Sequence, residues 1–135
     1  MHAKPKGTPF RKTRLCLNSF ALLAALVGTA AAEPVRMSGR EIYDLFKGNT
    51  VHGEWAGTEY WSYFGPDGWT TYKTKGAELQ TGRWSTNQTQ YCSIWGEAPQ
   101  ACYDILKDGW TLIWVTRDGN HYTSTWLQGN QTPPN

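Results

Sequence analysis

After Gly48 the chain is a succession of short segments rich in Trp, Tyr, Thr, Ile and Val, separated by Gly, Asp, Asn and Pro. The clearest turns contain Asp67-Gly68, Asp108-Gly109 and Gly119-Asn120, because glycine and asparagine tolerate positive φ. Eight strands are predicted, over residues 51–55, 59–64, 69–73, 79–85, 90–94, 101–106, 110–116 and 122–127. Strands joined by tight turns form an antiparallel meander, and one this long in 135 residues hides its edges most readily by closing. The expected fold class is mainly β, a small barrel or a strongly curled sheet.

One short helix is predicted ahead of the strands. Ser38 fits its N-cap, and Glu41 three residues later completes a capping box. Ile42 and Phe46 lie on one apolar stripe, and Gly48 suits the position just past the C-terminus. We expect this helix to plug or flank the β structure.

The N-terminal segment has the pattern of a secretory signal peptide. Residues 1–14 contain five basic residues and no acid, residues 15–27 are mostly apolar, and small residues follow up to Ala32. The apolar segment is shorter than the roughly 20 residues that span a bilayer. We predict a signal peptide over residues 1–32, a barrel-like domain over residues 33–127 and a loose tail over residues 128–135. An uncleaved anchor or a buried N-terminal helix is the alternative, and a periplasmic or secreted location is expected.

Cleavage would change the charge of the protein. The chain has 13 basic and 11 acidic residues, and removal of five basic residues leaves a net charge of −3. A domain with this balance lacks the Lys and Arg surface that binds phosphate backbones, so nucleic acid is not an expected partner. Nor does the sequence contain a basic amphipathic helix for anionic lipid, and no membrane span is expected after cleavage.

Cys92 and Cys102 are the only cysteines after the leader. They flank a predicted loop, and in an oxidising compartment such a pair is expected to form a disulfide. A redox or metal pair is the weaker alternative, because the spacing is not C-x-x-C and no His or third Cys lies nearby.

Two Gly-x-Trp triplets, Gly53-Glu54-Trp55 and Gly82-Arg83-Trp84, occur in the predicted strands. The first follows a short helix and opens the first strand, which resembles the beginning of the lipocalin-like and avidin-like barrels (calycins). The resemblance implies that Trp55 closes the barrel floor against a basic residue of the last strand. The predicted last strand has no Lys or Arg, and Arg117 lies in the turn before it.

A wider pattern resembles uncharacterised small exported β-rich proteins of Gram-negative bacteria. It comprises Ser38-Gly39-Arg40-Glu41-Ile42, Gly48-Asn49-Thr50-Val51, Phe64-Gly65-Pro66-Asp67-Gly68, Gly82-Arg83-Trp84 and the hairpin from Cys92 to Cys102-Tyr103. This resemblance implies export and implies no activity.

A short motif, Thr74-Lys75-Gly76, resembles part of a loop of the periplasmic C-type lysozyme inhibitors. The resemblance makes Lys73, Thr74, Lys75 and Gly76 a candidate loop for contact with a partner protein. A basic loop that projects from the barrel would favour that function.

Signals for catalysis are absent from the sequence. His52 and His121 are the only histidines after the leader, and His52 shares a predicted strand face with Glu54. In a closed barrel the two histidines would begin antiparallel neighbouring strands, which places them roughly 15 Å apart at about 3.3 Å per residue. No nucleophile motif, phosphate-binding loop or carboxylate-rich metal loop is present, so we predict no catalytic residue, no metal and no cofactor.

The aromatic content remains to be explained. All 8 Trp and 7 Tyr follow residue 40, more than a core of this size requires. Many are expected to fill the core, but some could form a binding surface. The candidate binding residues are Trp61, Trp95, Tyr60, Tyr63 and Tyr91.

The predicted function is a non-catalytic exported binding protein, with a small molecule, a glycan or a protein as its unknown partner. An internal cavity of several hundred Å³ would favour a small apolar ligand, whereas a filled interior with exposed rings would favour a glycan or protein. The alternative function is a periplasmic inhibitor or interaction protein that acts on a cell-wall enzyme.

Overall fold

The computed structural model describes residues 31–134, so the predicted signal peptide lies outside the described residues except for its last two. In chain order the elements are β1 (Val35–Arg36), α1 (Gly39–Phe46), β2 (Thr50–Trp55), β3 (Thr58–Phe64), β4 (Trp69–Thr74), β5 (Gln80–Thr86), β6 (Tyr91–Ile94), β7 (Ala101–Asp108), β8 (Thr111–Val115) and β9 (His121–Leu127). β2 to β9 match the eight predicted strands to within a few residues.

β2 to β9 form a closed antiparallel barrel. Each strand pairs with the next along the chain, and β9 returns to pair with β2. At this closing seam Val51 lies opposite Trp126 and Gly53 opposite Ser124. A Cβ at Gly53 would lie 2.6 Å from the Cβ of Ser124, so only glycine permits the two strands to approach this closely. The mainly β fold class is confirmed, and of the two predicted forms the barrel is the correct one.

α1 plugs one end of the barrel. The predicted capping box is present, because Ser38 Oγ accepts from the Glu41 N–H at 3.3 Å and the Glu41 carboxylate accepts from the Ser38 N–H at 2.7 Å. The last helical residue, Phe46, is fully buried, with its ring 4.6 Å from that of Phe64 and 5.6 Å from that of Trp114. Both of these rings point into the barrel, so the helix closes its interior.

The barrel interior is filled at the plugged end by alternate residues of the strands. The buried hydrophobic core comprises Met37, Ile42, Phe46, Val51, Tyr60, Phe64, Trp84, Tyr91, Ile105, Leu112 and Trp114. Trp84, from the second Gly-x-Trp triplet, belongs to this core and donates from Nε1 to the carbonyl of Gly65 at 2.9 Å.

Cys92 and Cys102 form the predicted disulfide. They lie directly opposite one another on β6 and β7, with their Cα atoms 4.1 Å apart. The bond therefore joins two neighbouring strands of the barrel wall.

The chain after β9 has no regular secondary structure, yet it contacts the barrel. Thr50 Oγ1 donates to the Gly129 carbonyl at 2.7 Å and accepts from the Gln131 N–H at 2.9 Å. The Gly129 N–H also donates to Asn49 Oδ1 at 3.0 Å. These bonds fix the first part of the tail against the start of β2.

Among residues 31–134, no helix has the length and apolar character to cross a bilayer.

Candidate ligand-binding mouth

The barrel interior opens to solvent at the end opposite α1. The opening is a cavity of about 220 Å³, called the mouth below. It is lined by Trp55, Tyr60, Ser62, Tyr72, Gln80, Tyr91, Ser93, Trp95, Tyr103 and Trp114. Seven of these ten side chains are aromatic, and none is charged.

The aromatic rings of the mouth lie at two depths. Tyr60, Tyr91 and Trp114 are buried and form its floor. The other rings, of Trp55, Tyr72, Trp95 and Tyr103, are half-buried and form its rim. A ligand that entered would therefore contact rings on its sides and beneath it.

Most neighbouring rings of the mouth meet at steep angles. Trp55 and Tyr103 have ring centroids 5.5 Å apart and planes at 87°. Tyr72 and Trp95 lie 6.1 Å apart at 73°, whereas Tyr60 stacks against Tyr72 at 5.3 Å and 19°. The rings thus form the walls of a box rather than a single stack.

The position of Trp95 depends on Gly82. A Cβ at Gly82 would lie 2.6 Å from the Trp95 ring, so the ring packs directly on the glycine backbone. Trp95 Nε1 donates to Ser93 Oγ at 3.1 Å, which fixes the ring further. Glycine in the second Gly-x-Trp triplet therefore helps to shape the rim of the mouth.

The polar groups that line the mouth are neutral and comprise the hydroxyls of two serines and four tyrosines and the amide of Gln80. Ser62 Oγ donates to the Thr71 carbonyl at 2.7 Å. The hydroxyl of Tyr60 is buried beside Trp114 and Ser124, whose side chains bond to one another, with Trp114 Nε1 donating to Ser124 Oγ at 2.9 Å.

The tyrosines of the mouth stay neutral at physiological pH. Burial raises the pKa of Tyr60 and Tyr91 far above the ordinary value, and it also raises the pKa of Tyr72 and Tyr103. Since the remaining lining residues do not ionise, the mouth carries no formal charge.

The five predicted binding residues divide between the two faces of the barrel wall. Tyr60, Tyr91 and Trp95 line the mouth. Trp61 and Tyr63 alternate with Tyr60 along β3 and do not line it. Adjacent strand residues point to opposite faces, so the five do not form one surface.

Trp61 belongs to a separate cluster on the outside of the barrel. Its ring stacks on His52 with centroids 4.7 Å apart and planes at 13°. His52 Nε2 lies 2.9 Å from Glu59 Oε1, so His52 pairs with Glu59 of the neighbouring strand and not with Glu54 of its own strand.

The mouth also contains four aromatic residues that were not among the sequence candidates. They are Trp55, Tyr72, Tyr103 and Trp114. The signal for Tyr72 and Tyr103 was the alternation within their predicted strands, which places them on the same face as other inward residues. Tyr72 and Tyr103 line the same cavity only because the barrel closes, and no local sequence pattern indicates that closure.

Trp55 does not lie at the closed end of the barrel, where the calycin resemblance implies that it should. It ends β2 at the open end of the barrel, and its ring stacks on Tyr122 with centroids 4.2 Å apart. It therefore lines the mouth instead of closing the floor, which is closed by α1.

The candidate loop after β4 is folded back on itself. Lys73 is only 6% exposed, and its Nζ donates to the Ala77 carbonyl. The Ala77 N–H in turn donates to the Thr74 carbonyl at 3.2 Å, which makes a tight turn containing Lys75 and Gly76. Lys75 is the exposed cation of this turn.

The two histidines lie far apart along the closing seam. His52 is opposite Thr125, four residues from His121 on β9. No three His, Cys, Asp or Glu side chains in the described part of the chain are grouped so as to hold a metal ion.

Comparison with known proteins adds no identification. No family model, curated protein or solved structure matches the chain. Assignment of a function therefore depends on the geometry of the mouth.

Proposed function

We propose that this protein is a non-catalytic, exported binding protein that holds a small organic molecule in the mouth of its barrel. The observation that carries the proposal is the cavity of about 220 Å³, closed at its base and lined by seven rings. An apolar cavity of about 150 Å³ holds benzene, so the mouth has room for a molecule of one ring or similar size. It is smaller than the roughly 300–1,000 Å³ of sites for drug-sized ligands, which favours a small molecule over a glycan chain.

The composition of the mouth supports binding rather than catalysis. Its ten lining side chains include no His, Asp, Glu, Lys or Cys. General acid–base catalysis needs a group that titrates near the working pH, and burial moves the pKa of the four tyrosines further from it.

Export is supported by two features. The leader over residues 1–32 has the pattern of a signal peptide. The Cys92–Cys102 disulfide is a bond that persists in oxidising compartments such as the periplasm.

The alternative function, inhibition of a cell-wall enzyme through the loop after β4, has less support. Burial of the Lys73 ammonium leaves Lys75 as the cation that this loop presents. A projecting basic arm is therefore not what the loop offers to a partner.

The proposal is tested by calorimetric titration of the purified protein with a panel of ring-sized organic compounds that are neutral, cationic or anionic. We expect at least one compound to bind, and Trp95→Ala to weaken its binding about tenfold, since a ring contact contributes roughly 1.4 kcal/mol. The matched control is Trp61→Ala, which removes a half-buried tryptophan from the outer face of the same barrel.

The unfolding midpoint of each variant separates loss of binding from loss of the fold. Binding by none of the compounds would contradict the proposal. So would an equal loss of affinity in Trp61→Ala and Trp95→Ala.

A further inference from the structure

The orientation of the rings in the mouth gives information about the ligand beyond the apolar character of the lining. The planes of Trp55 and Tyr103 meet at 87°, those of Tyr91 and Trp114 at 89°, and those of Tyr72 and Trp95 at 73°. Tyr60 and Tyr72, in contrast, are stacked with planes at 19°. Rings in more than one orientation around one cavity form a cage, whereas two parallel rings alone would form a slot for a flat molecule.

The electrostatics of such a cage favour one class of ligand. The face of each aromatic ring carries partial negative charge, and Trp provides the strongest attraction for a cation. No lining residue carries a formal charge that would repel or neutralise a ligand. An anion would face the same negative ring faces without any cationic side chain to pair with.

The lack of a carboxylate in the lining narrows the ligand class further. A primary ammonium loses three hydrogen bonds to water on burial and needs acceptors in return. The mouth offers it only neutral acceptors, which are the serine and tyrosine hydroxyls and the Gln80 amide, and Ser93 Oγ already accepts from Trp95 Nε1. A quaternary ammonium has no N–H to satisfy and a diffuse charge, so its transfer into the cage is less unfavourable.

We infer that the mouth binds small quaternary ammonium compounds. This inference rests on the proposed function and names its ligand class. A trimethylammonium group with a short hydroxyalkyl arm is somewhat larger than benzene, which an apolar cavity of about 150 Å³ accommodates, and so it fits the 220 Å³ of the mouth.

The charge of the protein agrees with a cationic ligand. The described residues include eight basic and eleven acidic side chains, a net charge of −3. A negative surface raises the local concentration of cations and increases their association rate.

The test compares choline with its neutral carbon isostere, in which a tert-butyl group replaces the trimethylammonium group. The two molecules have the same size and shape and differ in charge. We expect choline to bind the purified protein about tenfold more tightly, a difference of roughly 1.4 kcal/mol and within the range of desolvated cation–π contacts. Ethanolamine, with a primary ammonium, should bind most weakly of the three.

A substitution tests whether the rings supply the difference. Trp55→Leu keeps an apolar wall but removes one ring face, so it should reduce the preference for choline over the isostere several-fold. The isostere reports whether the variant still has an intact mouth. Trp61→Leu, on the outer face, should leave the preference unchanged.

The outcomes separate the inference from the proposed function. If the isostere or another neutral compound binds as tightly as choline, the inference is overturned and the binding function stands. If none of the compounds binds, both are overturned. Binding of choline that disappears at high salt in wild type and is unaffected by Trp55→Leu would be surface attraction, and it would also overturn the inference.

Discussion

Tyr91 shows how a single side chain connects the two ends of the barrel. Its ring lies 5.7 Å from Phe46 of the plug and 5.1 Å from Trp114 of the wall. The same ring forms part of the floor of the mouth, and only 3% of the residue is exposed. A ligand bound in the mouth as we propose would touch a residue that also packs against the helix, so binding should stabilise the plugged end as well.

The buried tyrosines make stability depend on alkaline pH. Burial raises the pKa of Tyr60 and Tyr91 well above the ordinary value of 10.0. Above about pH 10 the unfolded chain releases these protons while the folded protein retains them, so stability falls as pH rises and is fully present below that pH. We expect a loss of about 1.4 kcal/mol per pH unit for each buried tyrosine, measured by urea unfolding across this range.

A matched variant tests that assignment. Tyr91→Phe keeps the ring and removes the phenol, so its stability should decline less steeply above pH 10 than that of the wild type. Identical slopes in Tyr91→Phe and the wild type would contradict a contribution of Tyr91 to this pH dependence.

At the scale of the element, the sequence contains the residues that start and end α1 but does not indicate where this helix packs on the barrel. The residues that start and end the helix are close in sequence. Ser38 and Glu41 form the N-terminal capping box, and Gly48, with φ of 77°, lies just past the C-terminus. Its role as a plug depends on contacts of Phe46 with Phe64 and with residues still further along the chain. The sequence therefore predicted the helix but left open whether it would plug or flank the barrel.

Removal of the ring that anchors the plug should be strongly destabilising. Phe46 is fully buried, so Phe46→Ala should lower the free energy of unfolding by about 3–5 kcal/mol through lost burial and the cavity left behind. The control is Arg40→Ala on the exposed face of α1, with an expected change within about 0.5 kcal/mol. Should Phe46→Ala not fold, Phe46→Leu provides a milder substitution. A loss below about 1 kcal/mol in Phe46→Ala would show that the helix does not anchor the core.

At the scale of the whole molecule, closure of the barrel determines the site. The turn residues predict each strand locally, and the number of strands in a small domain favours closure. The mouth was predicted only in part, with Tyr60, Tyr91 and Trp95 assigned to binding. The register at which β9 meets β2, with Val51 opposite Trp126, joins residues 75 positions apart, and no local pattern encodes it. Because side chains alternate between the two faces of a strand, Trp61 points outward and Tyr60 inward. The predicted strand already indicates that these two residues lie on different faces of the barrel wall.

The disulfide should strengthen this barrel without being necessary for it. Cys92 and Cys102 are separated by 10 positions, and constraint of so short a loop contributes roughly 2–3 kcal/mol. Since β6 and β7 also pair through their backbones, the reduced protein should remain folded and lose stability by about that amount in urea unfolding. The double variant Cys92→Ala/Cys102→Ala should match the reduced wild type and show no further response to reductant. If reductant destabilises the double variant equally, the effect does not come from this bond. If the reduced wild type unfolds outright, the eight paired strands do not suffice to hold the barrel closed.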